Sequence, residues 1–247
     1  MLTTTLLIPT EDGRADAFAA FPDDGAPHPG ILMYPDGFGI RPVIREMARE
    51  LAGHGYYVLV PNIFYRHGPA PVIALPEHIG EEARPALMTR LMALIKEHTP
   101  ERFLRDADAY LGYLTTRPEV AGGPVAVTGY CIGGMLALHT AAAHPGQVAA
   151  VAGFHSPVGA EGDERHRLLS RLTARVHLGH AASDLTPEAL GELNEALDAA
   201  GVDHTSEIYP GTVHGFTMSD TGAFAPDGLR RHWERLLPLL AGTLANG

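Results

Sequence analysis

Short apolar runs alternate along the chain with segments of helical periodicity, and turn residues separate them. The acidic turn Glu11-Asp12-Gly13 joins the first two runs and predicts an opening hairpin. Several later runs of four or five apolar residues lie next to Gly or Pro and are typical of buried strands. The predicted strands are Thr3–Ile8, Ala15–Phe21, Gly30–Tyr34, Tyr56–Val60, Val125–Thr128, Val148–Phe154, Ala174–Leu178 and His204–Tyr209.

Helical spacing fills most of the intervals between the predicted strands. The resulting alternation predicts an α/β fold with a central, mostly parallel sheet of about eight strands, flanked by helices on both faces. The stretch Ile63–Gly80 carries three prolines and predicts a loop or cap over the sheet. No linker or repeat interrupts the chain, so we expect one domain over residues 1–247. The predicted helices are Pro42–Ala52, Pro85–His98, Glu101–Thr116, Gly134–Ala143, a helix from Thr186-Pro187 to Gly201, and Leu229–Leu244.

Composition narrows the classes of function. The chain has 247 residues, a hydrophobic fraction of 45% and a formal net charge of −11. The hydrophobic fraction is sufficient for a substantial core, and the negative charge disfavours nucleic acid or an anionic membrane as a partner. A single cysteine excludes an intramolecular disulfide, and no signal peptide or membrane-spanning run is recognisable. We therefore expect a soluble cytoplasmic protein, monomeric or homodimeric, that acts on a small molecule.

The motif Gly129-Tyr130-Cys131-Ile132-Gly133-Gly134 lies between a predicted strand and a predicted helix. This arrangement is typical of a nucleophile elbow, a tight turn that presents one reactive side chain above a parallel sheet. Glycines two residues before and after Cys131 leave room for the turn. The helix dipole would favour the thiolate, so Cys131 is the candidate nucleophile of an α/β-hydrolase fold. The alternative is that Cys131 is a small buried hydrophobic residue.

A cysteine that attacks an acyl carbon needs a base, and the base needs an orienting acid. In α/β-hydrolases the chain order is nucleophile, acid and histidine, with each group in a loop after a strand. Asp184 follows the strand Ala174–Leu178, and His214 follows the strand His204–Tyr209. These two residues are the predicted acid and base. An ordinary helix cap remains the alternative for Asp184.

Backbone N–H groups near the elbow are expected to form the oxyanion hole. The N–H of Ile132, directly after the nucleophile, and that of Gly37, after an early strand, are the candidates. His177 and His180 lack acidic or cysteine neighbours with metal-ligand spacing, so the sequence predicts no metal site.

These motifs resemble those of the dienelactone hydrolase family, from about Gly30 to the C-terminal helix. The cysteine in the elbow is specific, because most α/β-hydrolases carry serine there. The matching segments are the elbow motif, the loop holding Asp184, His214-Gly215-Phe216, Tyr34-Pro35-Asp36-Gly37-Phe38-Gly39 and Val60-Pro61-Asn62-Ile63-Phe64-Tyr65-Arg66.

The resemblance implies a Cys131–His214–Asp184 triad that works without metal or cofactor. It implies hydrolysis of an enol-lactone, or of a related carboxylic ester, through an acyl-thioester on the cysteine. Family members also carry a glutamate that pairs with the thiol and takes its proton, and Asp36 stands at that position. An Asx-turn residue is the alternative for Asp36. The side chains predicted to contact substrate are Phe38, Tyr65, Arg66, Tyr130 and Phe216.

The chain departs from the family pattern where the substrate is held. Family enzymes bind the dienelactone carboxylate with arginines, one of them a few residues beyond the catalytic histidine. No arginine follows His214 closely, which leaves Arg66 and Arg90 as candidate anion contacts. We therefore expect a different ester, lactone or thioester as substrate. The alternative function is a non-catalytic protein that binds a small ligand on the same scaffold.

Overall fold

The computed structural model describes residues 1–244, which contain eight strands and seven α-helices. Contacts divide the chain into two compact units. The first unit holds Met1–Gly122 and Asp220–Gly222, and the second holds Gly123–Ser219 and the chain from Ala223 onwards. Within the described residues no helix has the length and apolar character needed to cross a membrane.

The first unit contains four strands in the order β1-β2-β4-β3. The predicted hairpin is confirmed, because β1 and β2 pair antiparallel from Leu2 opposite Phe21 to Thr10 opposite Gly13. β2 is also antiparallel to β4, whereas β3 and β4 are parallel. Every residue of β3 and β4 is buried, as the short apolar runs predict. The bounds are Leu2–Thr10 for β1, Gly13–Phe21 for β2, Gly30–Tyr34 for β3 and Tyr57–Pro61 for β4.

The helices of the first unit are amphipathic to different degrees. Helix α1 (Pro42–Gly53) starts with a proline in its first turn and buries residues every three to four positions, so it packs on β2 and β4. Helix α3 (Pro100–Thr115) packs in the same way on β1 and β3. Helix α2 (Arg84–Glu97) buries only two residues. A single 3-10 turn, Tyr65–His67, interrupts the predicted loop.

The second unit contains four parallel strands in the order β5-β6-β7-β8. Tyr130 lies opposite Phe154 and Ala181 lies opposite Tyr209, so the carboxyl ends of neighbouring strands align. The loops that leave these ends therefore converge on one edge of the sheet. The bounds are Val125–Tyr130 for β5, Val148–Phe154 for β6, Arg175–Ala181 for β7 and His204–Tyr209 for β8; the helices are α4 (Ile132–Ala143), α5 (Gly162–Leu169), α6 (Pro187–Ala199) and α7 (Pro226–Leu244).

The prediction of a mostly parallel α/β fold with eight strands is confirmed. The helix α5 was not predicted, because its sequence is polar and only Leu169 is buried, so no apolar period marks it. Strand β7 extends to Ala181, which places His180 in the strand where a loop was expected. The expectation of a single domain stays a prediction.

Candidate active site

Cys131 occupies the sharp turn between β5 and α4. Its backbone φ of +55° and ψ of −124° are rare for any residue other than glycine. The turn is held by two hydrogen bonds: the N–H of Cys131 donates to the Phe154 carbonyl at 3.0 Å, and its own carbonyl accepts from Gly134 N–H at 3.1 Å. Strain of this kind persists only where the surroundings fix the backbone. Cys131 is thus presented at the start of α4 in the geometry expected of an elbow.

Two glycines of the elbow motif, Gly129 and Gly134, are required by space. A Cβ added at Gly129 would lie 2.0 Å from the Gly133 carbonyl oxygen, and one at Gly134 would lie 2.6 Å from the Ser156 Cβ. Both distances are far below van der Waals contact, so side chains at these positions would push α4 away from its strands. Gly129 and Gly134 therefore allow the start of α4 to pack closely against β5 and the residue after His155.

Asp184 and His214 meet at the carboxyl ends of β7 and β8. The Asp184 Oδ2 lies 2.6 Å from Nδ1 of His214, and both side chains are partly exposed. Ser183 reinforces the pair: its hydroxyl donates to Asp184 Oδ1 at 3.0 Å and accepts the His214 backbone N–H at 3.0 Å. Burial would raise the pKa of Asp184, but the hydrogen bonds from His214 and Ser183 and the charge of His214 together lower it. The sequence reasoning did not single out Ser183, although it adjoins Asp184.

His214 also interacts with the thiol of Cys131. Burial opposes a charge on the imidazole, yet hydrogen bonds to Asp184 and Cys131 and the charges of both partners raise the pKa of His214 to about 10. Because Nδ1 faces Asp184, Nε2 is the nitrogen left for the sulfur. The structure therefore brings the three residues predicted for a triad into one chain of contacts.

The two predicted oxyanion donors lie in different units. Ile132 is the first residue of α4, where backbone N–H groups have no acceptor within the helix. Gly37 lies under α2: a Cβ added there would be 2.7 Å from a terminal methyl group of Leu91. A side chain at this loop position would therefore displace the side chain of Leu91. Their joint role as an oxyanion hole stays a prediction.

Asp36 is buried and paired with Arg41. Arg41 donates through Nη1 to Asp36 Oδ1 at 2.6 Å and through Nη2 to Oδ2 at 3.0 Å, and the Phe38 backbone N–H donates to Oδ1 at 3.1 Å. The same guanidinium holds Asp220 through Nε at 2.6 Å and Nη2 at 3.1 Å. Burial opposes the charge of Arg41, but the two carboxylates more than offset it and raise its pKa. Arg41 was missed, although an arginine five residues after Asp36 is visible in the sequence.

Comparison with known proteins assigns the chain to a protein family. The model of the dienelactone hydrolase family matches residues 15–244. The chain belongs to that family. It is 28% identical over 241 residues to a carboxymethylenebutenolidase from a Pseudomonas species, which covers 97% of this chain and 95% of the relative. As a member of the dienelactone hydrolase family, the protein is a carboxylic ester hydrolase.

Solved structures support the same fold. A dienelactone hydrolase-like promiscuous phosphotriesterase from metagenomic libraries superposes with a TM-score of 0.76 at 25% identity, covering 98% of this chain and 99% of that one. A dienelactone hydrolase from Anabaena variabilis superposes with a TM-score of 0.65 at 19% identity, covering 98% of each chain. The protein therefore has the α/β-hydrolase fold of the dienelactone hydrolase family.

The side chains of Tyr65 and Arg66 form hydrogen bonds with other side chains of the first unit. Arg66 donates to both oxygens of Asp106, at 2.7 and 2.9 Å, and also to Asp12 at 2.7 Å. The Tyr65 hydroxyl donates to Asp106 at 2.9 Å and accepts from Thr10 at 2.8 Å. This network ties the 3-10 turn to α3 and β1. A substrate contact through Tyr65 or Arg66 stays a prediction, as does one through the exposed Arg90.

The predicted aromatic contacts are largely internal as well. Tyr130 and Phe216 have no exposed surface, and the Tyr130 hydroxyl lies 3.0 Å from His232 Nε2. The ring of Phe38 is buried and has the Arg41 guanidinium 5.6 Å from its centroid. Substrate contacts through these three rings stay predictions. The structure gives their rings positions in the core or beside Arg41.

His155 packs against the loop that holds His214 and Thr217, and it was not identified from the sequence. It follows β6 with a φ of +39°, and its N–H donates to the Gly179 carbonyl at 2.7 Å. Its ring is fully buried, lies edge-on 5.2 Å from the His214 ring, and has Nε2 2.8 Å from the Thr217 hydroxyl. Its position directly after a strand's carboxyl end was the only sequence signal.

The free energy of unfolding is expected to decrease as the pH rises from about 7 to 10. Folded His214 keeps its proton to about pH 10, whereas the unfolded chain releases it near 6.5. Its contribution is therefore complete below pH 6.5 and is lost as the pH rises through about 10. Urea denaturation between pH 6 and pH 10 measures this slope.

Asp184→Asn should flatten the slope, because it removes a main cause of the raised pKa. His166→Gln, a change at an exposed histidine of α5, should leave it as in the natural protein. Equal slopes in Asp184→Asn and the natural protein would contradict the assignment of this titration to His214.

Proposed function

We propose that the protein hydrolyses a small carboxylic ester or lactone through an acyl-thioester on Cys131. The observation that carries the proposal is the chain of contacts from Asp184 through His214 to Cys131. The elbow supports it, because the strained backbone places the sulfur at the start of α4. Membership of the dienelactone hydrolase family supports the same reaction class.

The proposed acylation starts from a thiolate–imidazolium pair. His214 holds the proton, and a protonated histidine favours the thiolate of Cys131. The sulfur attacks the carbonyl carbon, and the resulting oxyanion accepts a hydrogen bond from the N–H of Ile132, the first residue of α4. When the tetrahedral intermediate collapses, the bond from carbon to the leaving oxygen breaks. That oxygen takes the proton from Nε2 of His214.

Deacylation uses the same groups in the reverse sense. Neutral His214 takes a proton from water, and the hydroxide adds to the thioester carbon. The C–S bond then breaks, the carboxylic acid leaves, and the thiolate–imidazolium pair is restored. Asp184 accepts the hydrogen bond from Nδ1–H throughout, which keeps Nε2 directed at the reacting atoms and stabilises the imidazolium.

For Asp36 we propose a positioning role. Both of its oxygens accept from Arg41, and one also accepts from the Phe38 N–H, so the carboxylate fixes the turn that contains Gly37. Proton transfer from the thiol to this carboxylate, which the family resemblance implies, would require Arg41 to release it. In the proposed mechanism His214 alone holds the thiol proton.

Trapping of the acyl-enzyme tests the proposal. The protein is mixed with p-nitrophenyl acetate, quenched in acid within the first turnovers, digested, and analysed by mass spectrometry. We expect one acetyl group on the peptide that contains Cys131. The variant His214→Gln should turn over roughly 10²- to 10⁴-fold more slowly, because acylation loses the partner of the thiolate and deacylation loses its base.

The matched control is His166→Gln, which should behave like the natural protein because His166 is exposed on α5. Rapid turnover with no acetyl group on Cys131 would contradict the thioester mechanism. A folded protein that turns over no ester of a broad panel, although iodoacetamide labels Cys131 rapidly, would favour the ligand-binding alternative.

A further inference from the structure

A cleft of about 850 Å³ opens beside the Asp184–His214 pair in the second unit. Its walls come from the loop after β6, from α5 and from the first half of α6, and both Asp184 and His214 line it. Cys131 is not among its lining residues. The cleft therefore adjoins the acid and the base of the proposed triad, and its lining residue Ser156 lies beside Gly134 of the elbow motif.

The proton transfer from His214 in the proposed mechanism gives this cleft a role. The leaving oxygen receives its proton from His214, so the atoms beyond that oxygen must lie beside the imidazole. A cleft that has His214 in its wall is the space available to those atoms. We propose that this cleft is the leaving-group subsite and that it takes an apolar leaving group with a neutral or positively charged end, and rejects an anionic one.

The preference for an apolar leaving group follows from the side chains that line the cleft. Small and branched apolar side chains from three segments contribute to the walls, and such surfaces suit an aryl or short alkyl group. The apolar lining side chains are Pro157, Val158, Ala160, Leu185, Ala189 and Leu193.

The charge preference rests on the acidic side chains of the same walls. Glu161, Glu164 and Glu192 line the cleft beside Asp184, whose charge is balanced by protonated His214. Arg165 is the one lining guanidinium, and its Nε donates to the Ala160 carbonyl at 3.1 Å. The chain as a whole carries a formal charge of −11, so no positive background offsets this local excess. With three glutamates against one arginine, the lining has an excess of negative charge, which disfavours anionic ligands.

The proposal of a leaving-group subsite rests on the proposed function. Three acetate esters of similar size test the subsite and the function separately. The neutral ester is 3-nitrophenyl acetate, the cationic ester is 3-acetoxy-N,N,N-trimethylanilinium, and the anionic ester is 3-acetoxybenzoate. All three form the same acetyl-enzyme, so their kcat/KM values differ only through acylation. The variant combines Glu161→Gln, Glu164→Gln and Glu192→Gln.

We expect the ratio of kcat/KM for the cationic ester to that for the anionic ester to fall roughly tenfold or more in the triple variant at low salt. Intrinsic reactivities cancel, because each ester is compared with itself in the natural protein. For 3-nitrophenyl acetate, kcat/KM should stay within about twofold, since neutral groups respond weakly to the field. The control combines Glu50→Gln, Glu195→Gln and Asp198→Asn, exposed acids outside the cleft, and should leave the ratio unchanged.

A second variant keeps the proposal testable if the triple variant fails to fold. Ala189→Phe would fill part of the cleft and should lower kcat/KM for 2-naphthyl acetate at least roughly tenfold more than for ethyl acetate. Turnover of the neutral ester with an unchanged charge ratio in a folded triple variant would overturn the subsite alone. Equal losses for the two esters in folded Ala189→Phe would also overturn it. Failure of the natural protein to turn over 3-nitrophenyl acetate would overturn the proposed function, and the subsite with it.

Discussion

Cys131→Ala should lower kcat for p-nitrophenyl acetate by roughly 10⁴-fold or more, to the level that binding and the oxyanion donors alone can support. The substitution removes the atom that forms the acyl-enzyme, and Cys131 is the only cysteine of the chain, so no other thiol can replace it. It also removes one of the partners that raise the pKa of His214. We therefore expect the pKa of His214 in the variant to be lower than in the natural protein.

Steady-state kinetics, circular dichroism and thermal melting of the purified variant check this result. Cys131→Ser keeps a polar side chain of similar size at the elbow and changes only the nucleophilic atom. It should lose most of the activity, because a hydroxyl is a weaker nucleophile than a thiolate. Ser170→Ala, a comparable truncation of an exposed residue, should leave kcat unchanged. A folded Cys131→Ala variant with kcat within tenfold of the natural value would disprove the nucleophile assignment.

Arg41→Met should lower the free energy of unfolding by about 3–5 kcal/mol at pH 7, the cost of leaving one side of a buried ion pair without its partner. Arg41 is 5% exposed and bonds both oxygens of Asp36 and of Asp220. Removal of the guanidinium would strand two carboxylates, one of them 7% exposed in its side chain. Because Gly37 follows Asp36 directly, esterase activity should fall with stability.

Urea denaturation of Arg41→Met and Arg41→Lys checks this prediction. The lysine keeps the charge but not the planar fork, so its loss should be smaller. The control is Arg49→Met, which breaks an ion pair with Glu46 one turn away on the same helix and should change stability by less than about 1 kcal/mol. An Arg41→Met variant as stable as Arg49→Met would contradict the prediction, because methionine would then replace the buried ion-pair network without loss.

The elements that carry the candidate triad could be predicted from local signals. Cys131 lies in a motif whose glycines are dictated by contacts within a few residues, as the 2.0 Å clash of a Cβ at Gly129 demonstrates. Asp184 follows an apolar run and His214 follows the short segment His204–Tyr209, which ends at Pro210. Parallel strands bring their carboxyl ends to one edge. These features depend on periodicity and chain order, both of which are present in the sequence.

The partners of the polar side chains could not be predicted in this way. Arg41 and Asp220 are 179 residues apart, and no local pattern relates them. Tyr65 and Arg66 both contact Asp106, which lies about 40 residues further along the chain on a separate helix, and no local pattern indicates this contact. Helix α5 carries too few apolar residues to show a period, yet it forms one wall of the cleft.

The sequence by itself therefore determined the α/β class, the order of the strands along the chain, and the nucleophile, acid and base as candidates, because short-range sterics and periodicity encode them. The tertiary structure alone decided that Asp36 is paired with Arg41, that Ser183 and His155 support the Asp184–His214 pair, and that an acidic cleft adjoins this pair. The physical reason is that hydrogen bonds, ion pairs and cavities are formed between residues distant in sequence, and their geometry exists only after the strands and helices have packed.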